Sequence, residues 1–394
     1  MNRPAWLLVA VALLLVAAAS AQEYPVLPRW ETTNVDAQPS RSGFDAHLAL
    51  ALDSDDRPHI AYFDANTGAL AYAHMAAGPG DDVWRYDVID SGDVGRYVSL
   101  DLDSADRPYV SYYDSAGDAL KVAFLDGGLW TVETVAAGGN YASLVIGPDD
   151  QPRVSYSVES QLTYAYRAGG AWHKEEVNQP GFLWVTGTSL ALDSSGVAHI
   201  AYYLGDNPTG HLRLATRAGA DDWAIEAVAE GGIPSSPRAL ALDSSGRPVI
   251  VFHVAAPISI RPLHVDYRLM LASRSAAGWD TEELIYKTNP NGWVFGFTTL
   301  SAAFDSLDKL HVAAVSEIEP QVYTFYRPDD QWRRELVGGN APGQIAYAAA
   351  LAVGSDGQPR LSFNENDQLL YARRSELVLD QQVFLPFTPY NSPP

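Results

Sequence analysis

Leu190-Ala191-Leu192-Asp193-Ser194-Ser195-Gly196, followed by His199-Ile200-Ala201-Tyr202-Tyr203, reads as a strand, a tight turn and a second strand. The same unit returns along the whole chain. Its turn position is held by Asp53, Asp103, Gly147, Asp193, Asp243, Asp305 and Gly354, spaced by 50, 44, 46, 50, 62 and 49 residues. Self-similarity at a fixed period is the mark of a repeat architecture, and it outranks any local reading.

Each copy carries four short runs. The first, as in Leu48-Ala49-Leu50-Ala51-Leu52, is apolar on both alternating faces and predicts a strand covered on both sides. The second ends in aromatics, as in Ala61-Tyr62-Phe63, Ser111-Tyr112-Tyr113 and Ala201-Tyr202-Tyr203. The third has the form Leu-x-Tyr-Ala at 70–73, 162–165 and 369–372. The fourth opens on Trp after a Gly- or Asp-rich turn. Four strands in about 45–50 residues is the size of a β-propeller blade. The pattern therefore predicts an all-β, seven-bladed β-propeller of four-stranded blades.

The fourth strand tests that reading. Trp84, Trp130, Trp172, Trp223, Trp279 and Trp332 begin W-x-x-[E/D]-x-[V/I/L], with Asp87, Glu133, Glu175, Glu226, Glu282 and Glu335 three residues on. The seventh copy stops after Tyr371-Ala372 without a Trp. Trp30-Glu31-Thr32-Thr33-Asn34-Val35 matches the motif, with Thr33 for the acid. The N-terminal strand is therefore expected to complete the last blade and leave no unpaired seam.

Length alone would favour two or three domains, but the continuous repeat overrides that expectation. Residues 1–21 have the layout of a cleaved secretory signal: Arg3, an apolar run from Ala5 to Ala18, and Ala19-Ser20-Ala21 before Gln22. The apolar run is shorter than the roughly twenty residues a membrane-spanning helix needs, so no stable anchor is expected after cleavage. A lead segment (22–29), the propeller (30–376) and a tail (377–394) containing Val383-Phe384-Leu385-Pro386-Phe387 complete the layout. The chain has no cysteine and no usable glycosylation acceptor, since Asn207-Pro208-Thr209 carries the disallowed proline. Both absences fit a bacterial exported protein better than one from an animal secretory route. The formal charge of −22 argues against a nucleic-acid partner. Secretion, or at least an extracytoplasmic location, and a monomer are expected.

The repeat L-x-L-D-S-x-G-x-P-x-[IV]-[AS]-Y-Y, then L-x-Y-A, then W-x-x-E-x-V, resembles the blades of exported bacterial seven-bladed β-propellers, loosely grouped with sialidase-like repeats. The resemblance covers about residues 30–375 and implies the fold. It does not extend to the sialidase Asp-box S-x-D-x-G-x-T-W, because Asp193-Ser194-Ser195-Gly196 runs on into Val197-Ala198-His199. Fold alone does not assign activity.

Whatever recurs in most blades serves the blade. Asp53 and its counterparts are expected to bond their own turn. Glu133 and its counterparts are outer-strand surface acids or partners of a neighbouring Arg, and His59, His199 and His311 are strand residues and not metal ligands. No cofactor or metal motif appears. Irregular residues belong on the top face, away from the Asp turns, where loops on a rigid scaffold carry binding. Two Trp lie outside the repeat and the signal, Trp184 and Trp293, both expected in top-face loops between blades. The 62-residue spacing puts an insertion in the fifth blade. Its second-to-third loop, about His253 to Tyr267, holds Arg261, His264 and Asp266, and its exit loop, Tyr286 to Phe297, holds Asn289, Asn291, Trp293 and Phe295. Asp64, Asp93, Arg96, Asp114, Tyr141, Arg238 and Tyr347 are further top-face candidates. Aromatics among Asn, Asp and Arg suit a ligand with apolar faces and polar edges.

Three functions compete. The leading one is a non-enzymatic recognition propeller that binds a glycan or an extracellular protein on its top face. The second is a glycoside hydrolase or lyase with acids at the channel mouth, for which Asp64, Asp114 and Glu317 are the candidates. The third is a structural surface protein without a small ligand.

Overall fold

The computed structural model describes residues 26–36, 47–76, 83–158, 160–177, 184–205, 210–230, 238–260, 263–289, 297–316, 318–329, 331–339 and 344–378. At 26–28, 238, 256–260, 263–264, 288–289 and 376–378 the description covers backbone only. The leader, the tail from 379 on, and Arg261, Asn291, Trp293, Phe295 and Glu317 lie outside the described residues.

Among the described residues the strands form seven four-stranded antiparallel sheets. Blade 1 sets the plan, with strands Leu48–Leu52, Pro58–Asp64, Ala69–Ala76 and Val83–Ser91. Blades 2 to 6 occupy 94–137, 140–176, 184–230, 238–289 and 297–338. In the last sheet the order is Val26–Asp36, Gln368–Val378, Pro359–Glu365, Ala346–Val353, so the N-terminal strand is the fourth strand of blade 7. The chain divides into two compact units, and 32–373 holds all seven blades of this β-propeller. In the other unit, 1–31 with 374–394, the Ser375 hydroxyl donates to the Glu31 carboxylate at 3.2 Å.

The first strands of successive blades touch one another around the ring, 346–353 against 48–52 included. These strands are therefore covered on both faces, as Leu48–Leu52 shows: Ala49 lies in the core shared with blade 2 and Leu50 in the core shared with blade 7. Their channel edges would leave backbone N–H groups without partners, which is costly away from water. Serines meet part of that need. Ser99, Ser143 and Ser189 hydroxyls each accept the N–H of the next blade's first strand, at Leu144, Leu190 and Leu240, all at 3.0 Å.

The hydrophobic core lies between blades. Tyr72 of blade 1 packs with Val110 and Tyr112 of blade 2, and Tyr164 of blade 3 packs with Ile200 and Tyr202 of blade 4. Tyr72, Tyr112, Tyr202, Phe252, Phe297, Phe325 and Phe363 are fully buried, each contributing on the order of 2–3 kcal/mol before entropy is counted. Val35 of the N-terminal strand is 2% exposed and packs with Leu50, Ile60 and Tyr371, which ties blade 7 to blade 1.

Outer seams use charge. The Glu175 carboxylate accepts from Arg217 Nε at 3.0 Å, Arg217 Nη2 at 2.6 Å and Trp223 Nε1 at 3.2 Å. Glu133 takes Arg167 and Trp172 in the same way, while Glu226 and Glu282 pair with Arg274 and Arg327 of the following blade. Glu133 and these counterparts are thus fastened to the next blade's Arg.

Candidate functional site

The two faces of the ring differ in how their turns are held. On the bottom face Asp53 N–H donates to Arg57 O at 3.0 Å, and Asp56 N–H donates to Asp53 O at 2.9 Å. Asp53 Oδ1 accepts the N–H of Asp55 and of Arg57, and Oδ2 accepts Arg57 Nε at 2.7 Å. Burial works to raise the Asp53 carboxyl, but these donors outweigh it and hold it below its ordinary value. His59 reaches the same carboxylate at 3.6 Å and bonds the Tyr72 hydroxyl. Burial pushes its imidazole down to about 4, against the pull of Asp53. His199 and His311 stand against Asp193 and Asp305 in the same manner.

Where the turn residue is glycine, the partner changes with it. Arg153 and Arg360 replace the His, and a Cβ on Gly147 would lie 1.5 Å from Arg153 Nη1. Each guanidinium swings instead to the acid two residues past the glycine, Asp149 at 2.7 Å and Asp356 at 2.8 Å.

Neighbouring bottom turns are also linked. The turn's left-handed residue is Asp56, Asp106, Asp150 and Asp308 in four blades, and Gly196, Gly246 and Gly357 in three. Each of those aspartates accepts the N–H and hydroxyl of a serine in the preceding blade: Ser355 to Asp56, Ser54 to Asp106, Ser104 to Asp150, Ser244 to Asp308. The Ser355–Asp56 clasp bridges the two ends of the ring. In the other three blades glycine meets the left-handed geometry without strain.

On the top face the second-to-third turns meet the blade crossings. Asp93 N–H donates to Gly68 O at 2.8 Å, and Gly138 N–H donates to Asp118 O at 2.7 Å. Asp64 and Asp114 sit here, at matching places in blades 1 and 2. Asp64 accepts Asn66 N–H at 3.0 Å and the Thr67 hydroxyl at 2.6 Å. Asp114, 7% exposed, accepts Gly117 N–H at 2.8 Å and pairs with Lys121 at 2.8 Å. Burial works to raise the Asp114 carboxyl, yet Lys121 and the turn N–H groups keep it low. Lys121 bonds Asp90 as well, and Asp90 accepts the Tyr112 hydroxyl at 2.6 Å. Both candidate acids are thus engaged in their own turns. Deeper in blade 2, burial raises the Asp101 carboxyl against the N–H groups of Ile146 and Leu102 that it accepts.

Over the described residues the blade-5 insertion is strand: most of the expected second-to-third loop and the start of the expected exit loop are paired. It lengthens three strands, Pro248–Ile260, Leu263–Ser275 and Gly278–Asn289. Val265, Tyr267, Leu269 and Leu271 alternate inward and drive the extension, so the apolar face finds cover. His264 pairs with Ser259, Asn289 with Val265, and Arg238 opens the first strand opposite Phe252. Arg238, His264 and Asn289 therefore share one blade. Phe297, expected at the end of an exit loop, is the first residue of blade 6 and fully buried. Trp184 is likewise a strand residue. It pairs with Gly205, and its indole covers that glycine so closely that a Cβ there would lie 1.9 Å from Nε1.

A feature that sequence patterns do not assemble is an arc of rings at the top of the first strands. The strands of blades 2, 3, 4, 6 and 7 bulge there, between Arg96 and Ser99, Asn140 and Ser143, Thr186 and Thr188, Phe297 and Thr299, and Ala346 and Ala349. Tyr97 and Tyr141 occupy two of the bulges with φ of 52° and 56°, a conformation costing a non-glycine residue about 1–3 kcal/mol. Their ring centroids are 4.7 Å apart. His47 of blade 1 lies 5.0 Å from Tyr97 on its other side, and Tyr113 lies 6.4 Å away. The Tyr113 hydroxyl donates to Asp118 at 2.7 Å, and that carboxylate, with burial, raises the phenol above its ordinary value. All four rings are half-buried. Tyr141 is among the sequence candidates; its partners are not, because a bulge and the sign of φ leave no periodic trace in sequence.

No family model and no curated protein matches the chain. Solved structures do. The polysaccharide lyase Uly1 is 8% identical with a TM-score of 0.55, over 86% of this chain and 90% of that one. YCF48 bound to D1 peptide is 11% identical with a TM-score of 0.49, over 91% and 99%. The Penicillium chrysogenum alpha-L-arabinanase complexed with arabinobiose is 11% identical with a TM-score of 0.44, over 71% and 92%. At 8% identity the likeness to Uly1 is one of fold alone.

Proposed function

We propose that this chain is an exported recognition propeller that binds a glycan or an extracellular protein on its top face. One observation carries the reading: the two glycine turns of the bottom face are each matched by an arginine, Gly147 by Arg153 and Gly354 by Arg360, whereas the top face departs from the repeat with bulges, left-handed tyrosines and a lengthened fifth blade. A ring of blades closed by clasps and buried aromatics supplies a rigid base, and side chains held on such a base bind with little ordering cost. The acids Asp64 and Asp114 serve turn geometry in this reading, so affinity rests on ring faces and polar edges and no bond is cleaved.

The test is a glycan array and a panel of extracellular proteins probed with the mature chain, with product analysis on every polysaccharide that binds. Binding without product is expected. Release of product transfers the protein to the glycoside hydrolase or lyase class, and binding to neither set leaves a structural surface protein.

A further inference from the structure

The strained tyrosines have an internal control. Tyr97, Tyr141 and Gly187 stand at the same distance ahead of their turn residues, 97 to 103, 141 to 147 and 187 to 193. Their φ angles are 52°, 56° and 51°. Blades 2 to 4 thus share a left-handed residue at this place, and in blade 4 glycine supplies it without a clash between Cβ and backbone. Nothing in blade geometry calls for an aromatic. Two adjacent blades nevertheless carry tyrosine, and His47 of the preceding blade extends the row of rings.

Resting on the recognition reading above, we infer that Tyr97 and Tyr141, flanked by His47 and Tyr113, form the aromatic floor of a subsite for a neutral oligosaccharide. Sugar rings offer C–H faces that lie on aromatic rings and hydroxyl edges that need donors and acceptors. The floor supplies the first over centroid spacings of 4.7 to 6.4 Å. The Tyr113–Asp118 pair stands at its edge to supply the second. A formal charge of −22 turns away uronate-rich and sulfated chains and leaves neutral ones. Because the left-handed backbone holds the rings at the bulge, little side-chain freedom is lost on binding.

The experiment uses the mature chain and its Tyr97→Gly/Tyr141→Gly variant, titrated calorimetrically with cellohexaose, xylohexaose, mannohexaose and chitohexaose, and melted in parallel. The wild type is expected to bind at least one of them. The variant is expected to bind it at least tenfold more weakly, with a melting temperature that does not fall. If the variant binds equally well, or melts earlier with its affinity intact, the rings only plug the channel; the inference fails and the recognition reading stands. If the wild type binds none of the four sugars, the inference falls together with the glycan form of that reading, and binding of a proline-rich peptide in their place overturns it equally.

Discussion

The bottom and top faces are built from the same seven repeats, yet they vary by different rules. At the bottom, the exchange of the turn residue comes with its answer: Gly147 and Gly354 for Asp bring Arg153 and Arg360 to the place held by His59, His199 and His311. At the top, the left-handed bulge position of blades 2 to 4 holds Tyr97, Tyr141 or Gly187. Compensated variation keeps the ring closed. Variation that closure does not require is open to selection for something else, and the strained tyrosines fall in that second class.

The largest effect that would break this comparison is at the ring's closing strand. Removing residues 22–36 strips Val35 from its cluster, the Asp36 acceptor from the Tyr62 hydroxyl at 2.8 Å and the Val35 carbonyl from Tyr86 at 2.5 Å. A loss of about 4–6 kcal/mol is expected, seen as a fall in melting temperature of about 6–8 °C. A truncated chain that melts within about 2 °C of the mature one removes the N-terminal strand from the closure.

The outer seams are graded by burial. Glu175, with its side chain 4% exposed, differs from Glu133 at 24%, which holds the same three kinds of donor, and from Glu226 at 36%. Truncation strands a guanidinium in proportion to its burial, so Glu175→Ala is expected to cost about 3 kcal/mol, Glu133→Ala about half that, and Glu226→Ala under about 1 kcal/mol. Denaturant melts read the series, and equal values for the three would mean that burial does not set the worth of these bridges.

A smaller effect tests compensation itself. Gly147→Asp drives a side chain into the place of the Arg153 guanidinium and is expected to cost about 2 kcal/mol. Adding Arg153→His rebuilds the pair seen at Asp193 and His199 and should return most of that loss. No recovery in the double variant means the two kinds of turn are not interchangeable units.

Much of this architecture is legible in the chain. The seven turns, the four strands per blade and the closing role of Trp30 to Val35 follow from period and from a count of Trp motifs, because both are imposed by packing that repeats. The clasps are not legible, since Ser54 and Asp106 are joined only once two blades lie side by side. The blade-5 extension reads as loop because Pro257 and Pro262 interrupt its alternation, although Val265, Tyr267, Leu269 and Leu271 keep it. The ring arc depends on backbone angles at a bulge, which local composition does not reveal. Trp293 and Phe295 lie outside the described residues, so the two proposed anchors, blade 5 and blades 1 to 3, are to be separated by binding data.

Closure below and recognition above are separated by two single variants of blade 2. Asp103, 5% exposed, accepts the N–H groups of Ala105 and Arg107 and the Arg107 guanidinium at 2.6 Å. Tyr97 stands toward the other end of the strand that leads into that turn. Melting temperature and calorimetric affinity for the tightest-binding oligosaccharide are measured for Asp103→Ala and Tyr97→Gly. A crossed result is expected, with Asp103→Ala lowering the melting temperature at unchanged affinity and Tyr97→Gly lowering affinity at an undiminished melting temperature. If the two variants lose stability and affinity together, or exchange these roles, the division between the faces is wrong.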